Sequence, residues 1–288
     1  MNCFQLVKSV LDELYERIPA KTEKEKDKGI AEMMSYLRKQ YAGLARGLKI
    51  DYTDPTTRFA YIYAYVTCHA NIVYQLIQES EELANLLEQR KLNVTCVGGG
   101  PGSDFLGILK SALDQKKREL FLRCTLLDRE PTWADCWNDV DEKLVSQLRI
   151  TNNFQTFDVT DPKTWETISK YLGSDLFTMI YFMSEIDSLR KSAEPFFRNL
   201  FENANPGALF LYVDNNNRHF FDWFDSLVSE NGLTVLSASE EVIKIRDFSE
   251  EKKDLGKYWR KFGNPRLTAN AAYRICQKPM GRARAKAR

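Results

Sequence analysis

The residues best placed to do chemistry follow a short β-branched run. Leu92–Val97 leads directly into Gly98-Gly99-Gly100-Pro101-Gly102. Without a Cβ, glycine lets the chain turn sharply and lets a ligand approach bare backbone. A tight strand-to-helix turn with no ligand uses the same residues. Carboxylates recur at comparable places downstream. Asp128, with Arg129 beside it, closes the apolar run Leu120–Leu127, and Asp158, followed by Val159, closes Asn153–Phe157. Met183-Ser184-Glu185-Ile186-Asp187 follows the apolar run Leu176–Phe182. An acid at a strand's end either accepts hydrogen bonds from a ligand or caps the next helix.

The elements that must position these groups are readable from periodicity. Residues 3–17 carry Phe4, Val7, Leu11 and Leu14 at helical spacing, and a second helix is expected over Ile30–Leu48. Between them, Lys21–Lys28 mixes both signs of charge and reads as a solvated connection or a helix start. Asp54-Pro55 marks another helix start, a cap residue before proline at the first helical position. Phe59–Ile77 is dense in aromatic and aliphatic side chains, so residues 1–90 are expected to form a helical N-terminal extension. From Lys91 the texture changes. Strands at 92–97, 120–127, 153–157, 176–182 and 208–213 alternate with helices expected at 103–117, 133–148, 162–171 and 193–202. That alternation predicts a doubly wound α/β domain over residues 91–279, a mostly parallel sheet with helices on both faces. Two last strands, 233–237 and 271–278, flank a long polar insertion, and residues 280–288 read as a basic flexible tail. In such sheets ligands bind beyond the carboxyl ends of the strands, where strand order reverses.

The glycine register is informative. A dinucleotide fingerprint, Gly-x-Gly-x-x-Gly, would need glycine at Ser103, whereas Gly98-x-Gly100-x-Gly102 fits a second pattern without exception. With the acids at Asp128, Asp158 and Asp175, the Asn205-Pro206-Gly207 turn into the fifth strand and the terminal strand pair, the chain resembles the class I S-adenosylmethionine-dependent methyltransferases over about residues 92–278. The resemblance implies a Rossmann-like, seven-stranded sheet with an antiparallel terminal hairpin. It implies S-adenosyl-L-methionine as cofactor, its methionine part against Gly98, Gly99, Gly100, Pro101 and Gly102. By the same resemblance, Asp128 with Arg129 would take the ribose hydroxyls, Asp158 with Val159 the adenine amino group, and Met183 would complete the cofactor contacts. Two departures stand out: the acid usual two residues before the first glycine is Cys96, and Asp128 lies further on than the ~20 residues of the related dinucleotide pattern. The function implied is methyl transfer to an N or O nucleophile. A non-catalytic S-adenosylmethionine sensor or scaffold is the alternative. An NAD-dependent oxidoreductase is a weaker one, opposed by Ser103 and the antiparallel final pair.

Catalytic groups are less sharply marked. Glu185 is a candidate substrate-facing carboxylate or a helix-capping acid, with Ser184 beside it. His69 is a candidate catalytic base or a hydrogen-bonded core histidine. Tyr61 and Tyr65, four apart on one helix, would floor a pocket for a planar substrate or pack on the sheet. Arg58 reads as a salt bridge or an anion contact, and His219 as a rim or loop residue. The N-terminal helices are expected to form a lid or substrate platform.

Bulk composition narrows the partners. A net charge of +1 gives no global field for nucleic acid or an anionic membrane, and 43% hydrophobic with 28% charged residues is ordinary for a soluble globular chain. No apolar stretch approaches the roughly 18–20 residues that span a bilayer, and no signal peptide is apparent at Met1–Phe4. Six cysteines without a CxxC pair and two histidines argue for reduced thiols and against a metal site, in a cytoplasmic or nuclear protein. The acceptor, whether protein, RNA or small molecule, and the oligomeric state are not written in the sequence.

Overall fold

A computed structural model describes residues 2–42, 50–116, 119–136, 149–245 and 250–280. Seven strands, β1 (Lys91–Val97), β2 (Phe121–Asp128), β3 (Arg149–Thr156), β4 (Leu176–Ile180), β5 (Leu209–Asn215), β6 (Thr234–Lys244) and β7 (Thr268–Gln277), form one sheet in the order β3-β2-β1-β4-β5-β7-β6. β1 to β5 run parallel, while β7 is antiparallel to both β5 and β6. Strand order reverses between β1 and β4, so their carboxyl ends open the crevice in which doubly wound sheets hold ligands.

The period of two along the strands sorts side chains into two cores. Val94, Cys96, Leu122, Cys124 and Leu211 point into one; Val97, Leu127, Phe177, Met179 and Phe210 point into the other. The second core is closed by α9 (Arg190–Asn203) and α10 (Arg218–Glu230), through Phe196, Phe197, Leu200, Phe224 and Leu227. The first is closed by α6 (Ser103–Asp114) and by the N-terminal helices α1 (Cys3–Arg17), α2 (Glu23–Tyr41), α3 (Pro55–Tyr61), α4 (Thr67–Glu79) and α5 (Glu81–Leu86). Short helices α7 (Pro162–Ile168), α8 (Phe182–Glu185) and α11 (Lys257–Phe262) complete the connections.

Local chemistry accounts for the helix starts. Asn2 and Gln5 form a reciprocal capping box on α1, Thr22 caps α2, and Asp54 Oδ1 accepts from the Thr56 N–H at 2.9 Å ahead of Pro55. The Thr22 cap draws most of the charged run Lys21–Lys28 into α2, which spans Glu23–Tyr41; residues 43–49, on which the rest of the expected helix falls, lie outside the described residues. So do 137–148, most of one expected helix, and the basic residues 281–288. β4 stops two residues short of Phe182, because Tyr181 takes the left-handed backbone (φ 58°). α10 was not legible as a separate helix, and β6 extends well past Ser237 into the polar insertion.

Every residue from Thr57 to Val73 is buried. Within this run Ile62–Val66 forms a π-helical turn between α3 and α4, a widening that shifts the phase of the side chains beyond it. α4 then lies directly on α6. An added Cβ at Gly107 of α6 would fall 2.5 Å from the Ala70 carbonyl oxygen and 2.7 Å from Val73 Cβ. In an open helix, Gly→Ala stabilises by ~1 kcal/mol; here the atom it strikes belongs to backbone, and overpacking costs roughly 1–3 kcal/mol. Gly107→Ala is therefore expected to lower stability by up to about 2 kcal/mol in urea unfolding, the overpacking cost less the propensity gain. A midpoint equal to or above that of the unmodified protein would show that α4 can move away freely.

Candidate active site

The glycine loop owes its shape to backbone that other residues resist. Gly98, Gly100 and Gly102 all have positive φ (68°, 36° and 70°). A Cβ on Gly98 would overlap the Phe182 ring at 2.1 Å. The loop is held from the neighbouring strand: Gly99 N–H donates to the Leu127 carbonyl at 3.1 Å, and Gly100 N–H donates to Asp128 Oδ2 at 2.9 Å. The other Asp128 oxygen accepts from the Glu130 N–H at 2.9 Å. Two amides thus orient this carboxylate, and about two of its four lone-pair sites stay free. Burial pushes the Asp128 carboxyl up to about 6, against the lowering effect of those two amides.

Asp128 opens on a cavity of about 570 Å³ at the carboxyl ends of the strands. Gly98, Arg129, Asp158, Val159 and Glu185 line it with Asp128, so the structure brings six of the sequence candidates to one space. Leu127, Phe157 and Val159 supply apolar wall, and Asp158 is oriented by Thr160, whose N–H and hydroxyl both donate to its Oδ1 at 2.8 and 2.7 Å. Glu185 sits across the cavity, reached through α8. Its side chain is exposed on the cavity wall, and the protein packed around it, with the nearby Asp128 charge, pushes its carboxyl up to about 8. Tyr41 donates to Glu185 Oε1 at 3.2 Å and shares a 2.5 Å hydroxyl contact with Tyr52.

A smaller cavity of about 20 Å³ adjoins it. There the structure gathers the substrate-side candidates Tyr61, Tyr65, His69 and Ser184 with Tyr41, Tyr181, Asn215 and Arg266. The His69 ring stacks on Tyr181 at 4.0 Å and 16°, and burial, with the Arg266 charge, lowers its pKa to about 3. His69 is therefore a neutral imidazole at physiological pH.

Other candidates lie elsewhere. Met183 is buried in the second core and lines neither cavity. Pro101 faces Leu6 and Val7 of α1, and a Cβ on Gly99 would point at Cys96 and Leu126, so these two shape the loop from behind. Gly102 is the N-cap of α6. Arg58 forms no salt bridge among the described residues: it donates to the Tyr52 and Thr53 carbonyls at 2.7 and 2.9 Å and to Thr132 Oγ1 at 2.8 Å, pinning the segment that carries Tyr52. His219 is exposed and pairs with Asp187 at 3.1 Å, away from both cavities. Cys96 packs in the first core, its Sγ 3.6 Å from that of Cys124.

Sequence reasoning missed Tyr41, Tyr52, Tyr181, Arg266 and Asp214. Only Asp214 had a signal, an acid ending a strand as Asp128 does. It accepts from the Ser184 N–H at 2.8 Å and so fixes the turn that presents Glu185. The aromatic and basic residues come from distant segments that meet only in the fold.

No family model and no curated protein matches the sequence. Solved structures with a similar fold include a SAM-dependent methyltransferase from Methanosarcina mazei, 11% identical over 70% of this chain and 98% of that one, with a TM-score of 0.43. The CurJ carbon methyltransferase is 15% identical over 88% of this chain and 68% of that one, at a TM-score of 0.47. TehB from Haemophilus influenzae is 12% identical over 72% and 61%, at 0.40.

The site makes a direct electrostatic prediction for the free protein. The Glu185 carboxyl is expected to titrate near 8 in a carbon-13 NMR titration, and Tyr41→Phe, which removes a donor to the ionised form, is expected to move it higher. A midpoint between 4 and 5 would mean that water fills the space around Glu185.

Proposed function

We propose that this chain is an S-adenosylmethionine-dependent methyltransferase acting on a nitrogen or oxygen nucleophile. The observation that carries the reading is Asp128: a carboxylate oriented by the Gly100 and Glu130 amides, with free lone pairs facing a large cavity at the point where strand order reverses. The residues present fit the cofactor. Asp128 can accept two vicinal hydroxyls, Asp158 an amino group, and Leu127, Phe157 and Val159 can flank a purine. A Cβ on Gly100 would lie 3.3 Å from Asp128 Oδ2 and crowd that acceptor. Asp128 and Asp158, with Asp51 and Glu130 also on the wall, outnumber Arg129 and favour a cationic ligand.

When bound, the cofactor supplies an activated sulfonium methyl, which needs a nucleophile aligned with it in line. Glu185 takes the proton that an arriving amine or hydroxyl must lose, and a carboxyl near 8 is well matched to that task. Tyr41 holds the Glu185 side chain through its hydroxyl, and Tyr52 holds Tyr41. Residues 1–90 serve as lid and platform: Tyr52 lines the large cavity, and Tyr41 at the end of α2, with Tyr61, Tyr65 and His69 from α3, the π-helical turn and α4, lines the smaller one. His69, neutral and stacked, is a positioning group rather than a base.

Titration calorimetry with S-adenosylhomocysteine tests the donor site. Each charge-assisted bond contributes about 1.5–3 kcal/mol, so Asp128→Ala, which loses two, is expected to weaken binding at least tenfold more than Asp158→Ala. Because the ionised carboxyl is the acceptor, affinity is expected to hold above pH 6 and to fall as pH drops through about 6. Absence of binding at millimolar concentration, while NAD binds, would overturn the reading.

Transfer from tritiated S-adenosylmethionine to fractionated RNA, protein and metabolite pools tests the activity. With an acceptor in hand, Glu185→Gln is expected to lower kcat by ~10²–10⁴-fold, the usual contribution of a positioned base. kcat/KM for the donor is expected to rise with pH through about 8, as Glu185 ionises. A flat profile, or a fully active Gln variant, would remove Glu185 from the chemistry.

A further inference from the structure

Three features of the smaller cavity have no role in binding the methyl donor. The first is Tyr181, which holds φ 58° although it is neither glycine nor asparagine. An aromatic residue persists in that region only where the surroundings over-determine it, and such strain collects at functional sites. Here it ends β4, turns α8 toward the large cavity and lays the phenol ring against His69.

The second is a pair of unsatisfied polar atoms. Tyr181 Oη and His69 Nε2 are buried without a hydrogen-bond partner among the described residues, on side chains only 7% and 4% exposed. Native interiors leave few such groups, and a ligand is one way to complete them. The third is Arg266. Its Nε donates to the Thr268 carbonyl at 2.9 Å, and its backbone N–H anchors on the Ala64 carbonyl at 3.0 Å, within the π-helical turn. Its guanidinium faces the Tyr65 ring at 6.0 Å and pairs with no carboxylate among the described residues. The acids nearby are engaged: Asp214 accepts from the Ser184 and Asn215 N–H groups, and Glu185 accepts from Tyr41.

Tyr181, His69 and Arg266 line one small space, and the phenol hydroxyl, the neutral imidazole and the guanidinium beside it are all able to donate. Their complement is an anion. A space of about 20 Å³ admits one or two water-sized atoms, which suits the two oxygens of a carboxylate better than a tetrahedral phosphate or sulfate. Arg presents a planar fork of the matching geometry. Tyr41 lines this space and also donates to Glu185, so the anion site and the proposed base are one side chain apart.

We propose that the smaller cavity anchors the methyl acceptor, and that the acceptor is a small carboxylic acid. Its carboxylate lies against Arg266, Tyr181 and His69, and its nitrogen or oxygen nucleophile lies by Glu185. The role as acceptor site rests on the methyl-transfer reading; the carboxylate site itself does not.

Matched acids and amides test it in the full chain. 4-Aminobenzoate and 4-hydroxybenzoate, each against its carboxamide, are titrated by ligand-observed NMR at pH 7.5, with and without S-adenosylhomocysteine. At least one acid is expected to bind tenfold or more tightly than its amide. Arg266→Gln is expected to erase that preference. Tyr181→Phe, which removes only the hydroxyl, is expected to reduce it several-fold. The thermal shift given by S-adenosylhomocysteine reports folding of each variant. Failure of every acid to bind, equal binding of acid and amide, or a preference that survives Arg266→Gln would overturn the proposal. An acid preference without any S-adenosylhomocysteine binding would keep the carboxylate site and discard methyl transfer. S-adenosylhomocysteine binding without an acid preference would do the reverse.

Discussion

The site depends on the approach of α4 to α6 at Gly107. A methyl group there would meet the Ala70 carbonyl, so the absence of one side chain sets how near two helices lie. α6 starts at Gly102, and its position is dictated by the glycine loop. α4 carries His69 and continues the segment with Tyr61 and Tyr65. The Gly107 contact therefore couples the glycine loop beside the large cavity to the wall of the smaller one. One turn further along α6, Lys110 forms a buried ion pair with Glu250, whose oxygens also accept from the Cys3 and Phe4 N–H groups at the start of α1. Removing one partner of a buried pair typically costs about 3–5 kcal/mol. This pair fastens the β6–β7 insertion, the first helix and the α/β sheet at one place.

Carboxyl groups crowd the carboxyl ends of the strands. Asp104, Asp128 and Asp214 are each pushed up to about 6, and Glu185 to about 8, in every case chiefly by burial. Each is also held by donors: the Thr178 hydroxyl on Asp104, backbone amides on Asp128 and Asp214, and Tyr41 on Glu185. Glu185 has the fewest such donors and the largest shift. Environment thus separates carboxyls of similar intrinsic acidity into fixed acceptors and one group poised near neutrality, the arrangement that acid–base chemistry requires.

Much of this was legible in the sequence, for a physical reason. The doubly wound sheet, the terminal antiparallel pair, the loop Gly98–Gly102 and the acids Asp128 and Asp158 are encoded in local pattern: side-chain period, glycine where φ must be positive, an acid where a strand ends. These features need only neighbours within a few residues. Glu185 could be named as a carboxylate after a strand, but whether it faced a ligand or capped a helix turned on where Tyr41 lay. Met183 lies in the core rather than on the cavity wall, because one turn of α8 suffices to rotate it there.

What tertiary structure alone decided is the chemistry beside Glu185. Tyr41 from α2, Tyr61 and Tyr65 from the π-helical region, Tyr181 after β4 and Arg266 before β7 lie in four separate stretches of chain with no shared spacing. Each residue type is unremarkable where it stands in the sequence. Their convergence follows from the hydrophobic burial of Thr57–Val73 against α6 and from the anchoring of Arg266 on Ala64, both contacts between distant segments. The sequence by itself therefore determined which end of the sheet carries the glycine loop and its acids. Long-range packing determined what stands beside that loop, because packing is set by the shapes of two surfaces and not by the pattern of either.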